Sequence, residues 1–312
     1  MLISTTADLM KYVEVSVDLD LLSVTPSINK AERRFIIPIL GRTFYFEVQE
    51  YGTTEALTTV QEQLLDCINS ASVPLAMWYY SQVGGVSIDN SGLYKPKSDT
   101  RWNLGDNEQA KLENHFLNSG LDALDDLLSF LDENLSSFET YATSPIRDET
   151  FSTLVPTASV VQKVFSLLHP NVTFRAMREA IGFVENRVAG LMQEFHDHAV
   201  SSDSLTISEK IMRDVARKAV IYMATSRALL TRTVKLTNEG LEVMMAERTP
   251  VSVPENSRIE SSAREFASSG ELELQKLMDM MNANPPTGYV APVVVSLTDR
   301  CKNPEGSRIA FL

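Results

Sequence analysis

Metal binding or acid-base catalysis would have to start from the four histidines of this chain. His196 and His198 flank Asp197, with Glu194 just before them. A helix turns His196 and His198 about 200° apart, so only Glu194 and His198 share a face. One carboxylate and one imidazole make half a metal site, and the plainer reading is a polar helix end. His115 falls in an acidic helix, and His169 precedes Pro170 at a helix start. Neither marks a site. Cys67 lies between Leu65 and Ile68 on an apolar face and reads as a buried, inert thiol. Cys301 has Arg300 and Lys302 beside it, which would lower its pKa, but nothing nearby would orient a substrate. The sequence has no G-x-S-x-G, H-E-x-x-H, P-loop or G-x-G-x-x-G pattern. Trp78, Tyr79 and Tyr80 lack interleaved bases and read as packing anchors, while Met278, Met280 and Met281 suit a core or an adaptable interface. The expectation is no enzyme, with no catalytic, metal or cofactor residues and no bound cofactor.

These side chains sit on helical elements. Thr25 and Pro26 predict an N-cap and first helical residue, followed by Ile28, Ala31, Phe35 and Ile39 at helical spacing and an Arg33, Arg34 pair. A second helix is predicted over 55–82, kinked or divided at Pro74, and a third over 106–138. Residues 86–93 alternate around Asn90 and Gly92 as a β-hairpin does. Shifting the chain by 148 lays 234–241 on 86–93, with Val, Asn, Gly and Leu identical, so Asn238 and Gly240 mark a second hairpin. The same shift places Thr173 on Thr25 and Phe183 on Phe35, and a shift of 152 lays 154–165 on 2–13. The predicted fold is mainly α, a tandem duplication of a helix–helix–β-hairpin–helix unit with an extended C-terminal arm. The first repeat covers 1–142, a linker 143–152 and the second repeat 153–284, with helices over 174–199, 208–231 and 256–283. Pro285, Pro286 and Pro292 predict an extended arm over 285–312.

With 312 residues, 44% hydrophobic and 22% charged, the chain is a globular protein of about two domains. A net charge of −13 opposes a broad nucleic-acid surface, and two cysteines provide no disulfide framework. Residues 1–8 lack the features of a secretory signal, and the uncharged run 67–88 is too rich in Asn, Ser, Pro and Gly for a membrane span.

Charge is segregated. Residues 209–235 hold seven bases and two acids, Lys210, Arg213 and Arg217 among them, while 106–139 hold nine acids and one base. Asp122, Asp125 and Asp126 belong to the acidic helix and alternate with leucines as a solvated face does. The two surfaces predict head-to-tail contact between copies, basic against acidic. Both hairpins are expected to project toward neighbouring subunits. The arm is expected to order only against a neighbour, with Val293, Val294, Val295 and Phe311 as its docking residues.

The opening MLISTTADLMKYV (residues 1–13), VDLD (17–20) and INKAERRFIIPILG (28–41), together with residues 76–93 and Ser144-Pro145, resemble a family from Bacteroidetes phages and prophages regarded as head-tail connector proteins, of the crAss-like kind. The resemblance covers most of the chain and no motif in it is catalytic. It implies a helical virion protein, made in the host cytoplasm, that rings the portal in the phage neck. Its partners would be itself, in a twelvefold ring, the portal and further neck or tail proteins. DNA would only pass through the channel, and no membrane is involved. A cytoplasmic helical enzyme with a site of scattered polar groups and a monomeric helical binding module are the alternatives, and both would stay small in solution.

Overall fold

A computed structural model describes residues 3, 5–15, 19–51, 57–83, 87–89, 92–94, 105–145, 153–201, 204–244 and 253–290. The fold is mainly α. In the first half, α1 (Thr6–Leu9) precedes α2 (Leu21–Ala31), which passes through a π-helical turn (Glu32–Ile36) into α3 (Ile37–Leu40). The cause of that turn is at hand: Pro38 has no N–H to give, and Ile37 N–H reaches back five residues to the Glu32 carbonyl. Then come α4 (Arg42–Tyr51), α5 (Thr59–Ser81), a hairpin of β1 (Ser87–Asp89) and β2 (Gly92–Tyr94), α6 (Asp106–Glu133) and α7 (Glu139–Ala142). The second half contains α8 (Ala158–Gln162), α9 (Pro170–Met192), α10 (Glu194–Ser201), α11 (Ile207–Leu230), β3 (Val234–Leu236), β4 (Leu241–Val243) and α12 (Val253–Ala283).

Each half has its own apolar core. In the first, α5 packs along α6 and α2; in the second, α11 packs along α12 and α9. Several positions correspond between the halves. Thr58 and Gln61 form a capping box at the start of α5, and Thr206 and Glu209 form the same box, 148 residues on, at the start of α11. The Phe35–Tyr79 ring contact at 6.3 Å recurs as Arg227 stacked 3.6 Å over Phe183. Gly120 on α6 lies so close to α5 that a Cβ would sit 2.5 Å from Leu75 Cγ; Gly270 on α12 would meet Met223 Cγ of α11 at the same distance. Past the hairpins the offset grows by two. The offset is still 148 at Leu93 and Leu241, so the two extra residues fall between Leu241 and Gly270. Gly270→Ala would ordinarily favour a helix, but Met223 N at 3.1 Å and Ala219 O at 3.2 Å are backbone and cannot swing aside. A loss of about 1–2 kcal/mol is expected in urea unfolding, and unchanged stability would mean that α11 and α12 have room to separate.

Several boundaries differ from the sequence expectation. Helix α2 starts at Leu21 with Asp20 as N-cap, its carboxylate accepting from Leu22 N–H at 3.0 Å, and Pro26 lies inside the helix. Thr25 instead donates its hydroxyl to Leu21 O at 2.9 Å. Helix α5 runs undivided through Pro74. The helix predicted over 174–199 begins at Pro170 and is interrupted at Gln193, whose φ of 55° ends α9.

Candidate interaction surfaces

The halves meet where the side of α6 receives the first turn of α9. His169, the N-cap of α9, has a left-handed φ of 45° and no side-chain capping bond of its own. The orphan amides of that turn are satisfied from the other half: Asn171 N–H and Val172 N–H donate to Asp125 Oδ1 at 2.6 and 3.1 Å. Asn171 Nδ2 donates to Ser129 Oγ at 3.1 Å, and His169 Nδ1 lies 2.9 Å from Asp122 Oδ1. Arg175 donates to the Pro38 carbonyl at 2.9 Å. Burial raises the Asp125 carboxyl above its usual range, against the lowering pull of the Val172 and Asn171 amides. Two of the three acids expected to face another copy, Asp122 and Asp125, are thus engaged inside the chain. Asp126 is exposed.

A second tie is the β3–β4 hairpin, expected to project. Its base is buried instead: Val234 and Leu241 belong to the second core, and Val243 packs into the first. Leu241 N–H donates to Ser166 O at 2.9 Å, and Leu168 N–H to Leu241 O at 2.8 Å. Gly240 has a φ of 138°, and a Cβ there would lie 2.3 Å from Ser166 O, so both conformation and space demand glycine. The tip, with Asn238, is exposed, and so are Lys235 and Leu236 on β3. Gly92 pairs with Asp89 in the first hairpin, while Asn90 lies outside the described residues.

The histidine that matters is His196. Its Nε2 lies 3.0 Å from Glu185 Oε1 and its Nδ1 3.1 Å from Asp197, with the Glu185 side chain only 6% exposed. Glu185 Oε1 also accepts from Leu154 N–H at 2.6 Å, and Arg217 Nε donates to Leu154 O at 2.7 Å. The cluster pins the start of the second half onto α9 and α11. The Glu185 bond raises the His196 pKa. Among the described residues no group of three potential ligands could hold a metal ion. Burial raises the Cys67 thiol, which disfavours the reactive thiolate. Trp78 and Tyr79 pack with Phe35, and Met281 is buried in the second core.

The expected basic surface is largely spent within the chain. Arg217 holds Leu154, Arg227 stacks on Phe183, Arg232 donates to Asn256, and Lys235 pairs with Glu242 at 3.2 Å. Lys210 is exposed and Arg213 half-buried. Lys218 is exposed as well. On the first half, Arg33 and Arg42 are exposed too. They line a groove of about 440 Å³ with Asn29, Tyr45 and Phe46. Its floor is built around the buried Glu32, which accepts from Tyr45 OH at 2.8 Å. The Arg33, Arg34 pair was visible in the sequence, but not the turn that presents it.

The predicted arm begins as part of the second half. Thr287 N–H donates to Glu209 Oε1 at 3.2 Å, and Gln193 exchanges two bonds with the Val290 backbone. Tyr289 is buried and donates to Asn282 Oδ1 at 2.9 Å. The Thr206 amide and hydroxyl, helped by Thr287, hold the Glu209 carboxyl down at about 2. Residues 285–290 therefore correct the arm boundary, while Val293, Val294, Val295 and Phe311 lie outside the described residues. Truncation after Ala283 is expected to lower the melting temperature by roughly 5 °C, from the lost burial of Tyr289 and its bonds. An unchanged melting curve would return these residues to a free arm.

No helix among the described residues is long and apolar enough to cross a membrane. A family model described as a family of unknown function (DUF6712) matches residues 36–150 and 186–290, more than half of the chain. No curated protein and no solved structure matches.

Proposed function

The chain belongs to the DUF6712 family, and we propose that it is a virion structural protein, a head-tail connector subunit that forms a ring below the portal of a tailed phage and leaves a channel for DNA. The observation that carries this reading is the seam between α6 and α9. One copy of a repeated unit already receives the next through a non-self-complementary surface, which is the geometry from which rings are built. The resemblance of residues 1–13, 17–20, 28–41 and 76–93 to phage connector proteins adds the place. On this reading the repeat arose by tandem duplication, the subunits are made in the host cytoplasm, and portal and tail proteins are the outer partners. Electron microscopy of purified virion necks tests it: a density ring that disappears in particles lacking this protein is expected, and intact necks without it would defeat the proposal. A monomeric module binding an anionic ligand between Arg33 and Arg42 is the alternative, and it would sediment as a monomer.

A further inference from the structure

We propose that the basic groove of the first half binds a nucleotide, with its phosphates on Arg33, Arg34 and Arg42 and its base on Phe46. The inference rests on the anionic-ligand reading of that groove and holds whether or not the subunit assembles.

Four bases and two acids lie between residues 26 and 49 of a chain whose net charge is −13. The bases, Lys30, Arg33, Arg34 and Arg42, are all exposed. Both acids are held by tyrosines: the buried Glu32 accepts from Tyr45 OH, and the half-buried Glu47 accepts from Tyr51 OH at 2.6 Å. An acidic protein thus presents a local positive field. Two of the cations are seated on rings, with Lys30 Nζ 4.0 Å from the Tyr79 centroid and the Arg34 guanidinium 5.9 Å from that of Phe35. Unlike a carboxylate, an aromatic face orients a cation without neutralising it.

Two grooves of about 440 Å³ each adjoin here and share Asn29 and Arg33. Lys30 and Arg34 line the first, Arg42 and Phe46 the second. Each falls in the size range of small-ligand sites, beyond the needs of a single phosphate ion. Phe46 decides between a bare anion and a nucleotide. Its ring is 59% exposed and lies beside that of Tyr45, with centroids 6.1 Å apart. A large exposed ring among cations suits a base stacked on the ring and phosphates held by guanidinium groups, whereas an acidic peptide would leave the ring unused. The second half lacks this arrangement. It carries Ile181 and Gly182 before Phe183 where the first has Arg33 and Arg34 before Phe35, and α9 has no π turn there. Such turns recur at functional sites.

Fluorescence anisotropy on the full chain tests this with a fluorescent ATP analogue and a labelled oligothymidylate, using pyrophosphate and poly-glutamate as competitors. Both nucleotide probes are expected to bind, more weakly as salt rises. Tighter binding of oligothymidylate would make single-stranded nucleic acid the source of the ligand, and tighter binding of the ATP analogue a free nucleotide. Arg33→Gln combined with Arg42→Gln should weaken both by at least about tenfold. Phe46→Ala should weaken both by about fivefold or more while leaving competition by pyrophosphate unchanged. All three side chains are exposed, so the variants should melt as the wild type does. Poly-glutamate that competes as well as pyrophosphate, or a Phe46→Ala variant that binds as the wild type does, overturns the nucleotide and leaves an anion groove. A chain that binds none of these probes overturns the groove as well. The connector reading survives either result, since the virion necks decide it.

Discussion

Glu185→Ala is expected to cost about 3–5 kcal/mol in urea or thermal unfolding, the range for removing one partner from a buried ionic cluster. The loss leaves the Leu154 amide without its acceptor and His196 without its buried partner. It also removes a nearby negative charge from Arg217. Glu185→Gln keeps the shape and an acceptor oxygen, so it should recover part of the loss. The same cluster sets a pH dependence. The His196 pKa is raised in the folded state, chiefly by the bond to Glu185, so protonation stabilises the fold. That contribution is complete below the ordinary imidazole value of about 6.5 and is lost as pH rises through the higher folded value. His196→Gln should flatten stability across that window. A variant with the wild-type slope would place the titrating group elsewhere.

The second large effect is expected at Asp125. Asp125→Ala removes the acceptor for two amides of α9 and for the Asn171 side chain, and should destabilise by about 2–3 kcal/mol. Because each half has its own core, unfolding should also lose cooperativity, with circular dichroism and tyrosine fluorescence no longer coinciding. Asp125→Asn retains an acceptor and should lie between. A single sharp transition in the alanine variant, at wild-type stability, would show that apolar contact alone joins the halves.

The long helices were legible from apolar spacing, and α11 and α12 start within three residues of their expected positions. The offset of 148 was legible too, since it rests on Asn, Gly and apolar identities, and at Gly240 both conformation and space demand glycine. What stayed hidden depended on contacts distant in sequence. Asp125 reads as one more acid on a solvated face, because its partners are backbone amides, which leave no signature in side-chain types. Glu185 did leave one: it interrupts the apolar stripe of Ile181, Val184 and Val188, where an acid needs buried partners. The break at Gln193 had no Gly or Pro to announce it, and Thr25-Pro26 imitated a helix start that Asp20 makes one turn earlier.

The position of Val243 has a practical consequence. This residue lies beyond the second hairpin turn yet packs into the first core, while Asp125 and Arg175 grip across the same divide. Covalent continuity through residues 146–150 is therefore not what keeps the halves together. A chain cleaved there by a protease should migrate as two fragments in denaturing gels and as one particle in native ones. The two pieces, expressed separately, should find each other again, which would make this protein a candidate for fragment complementation.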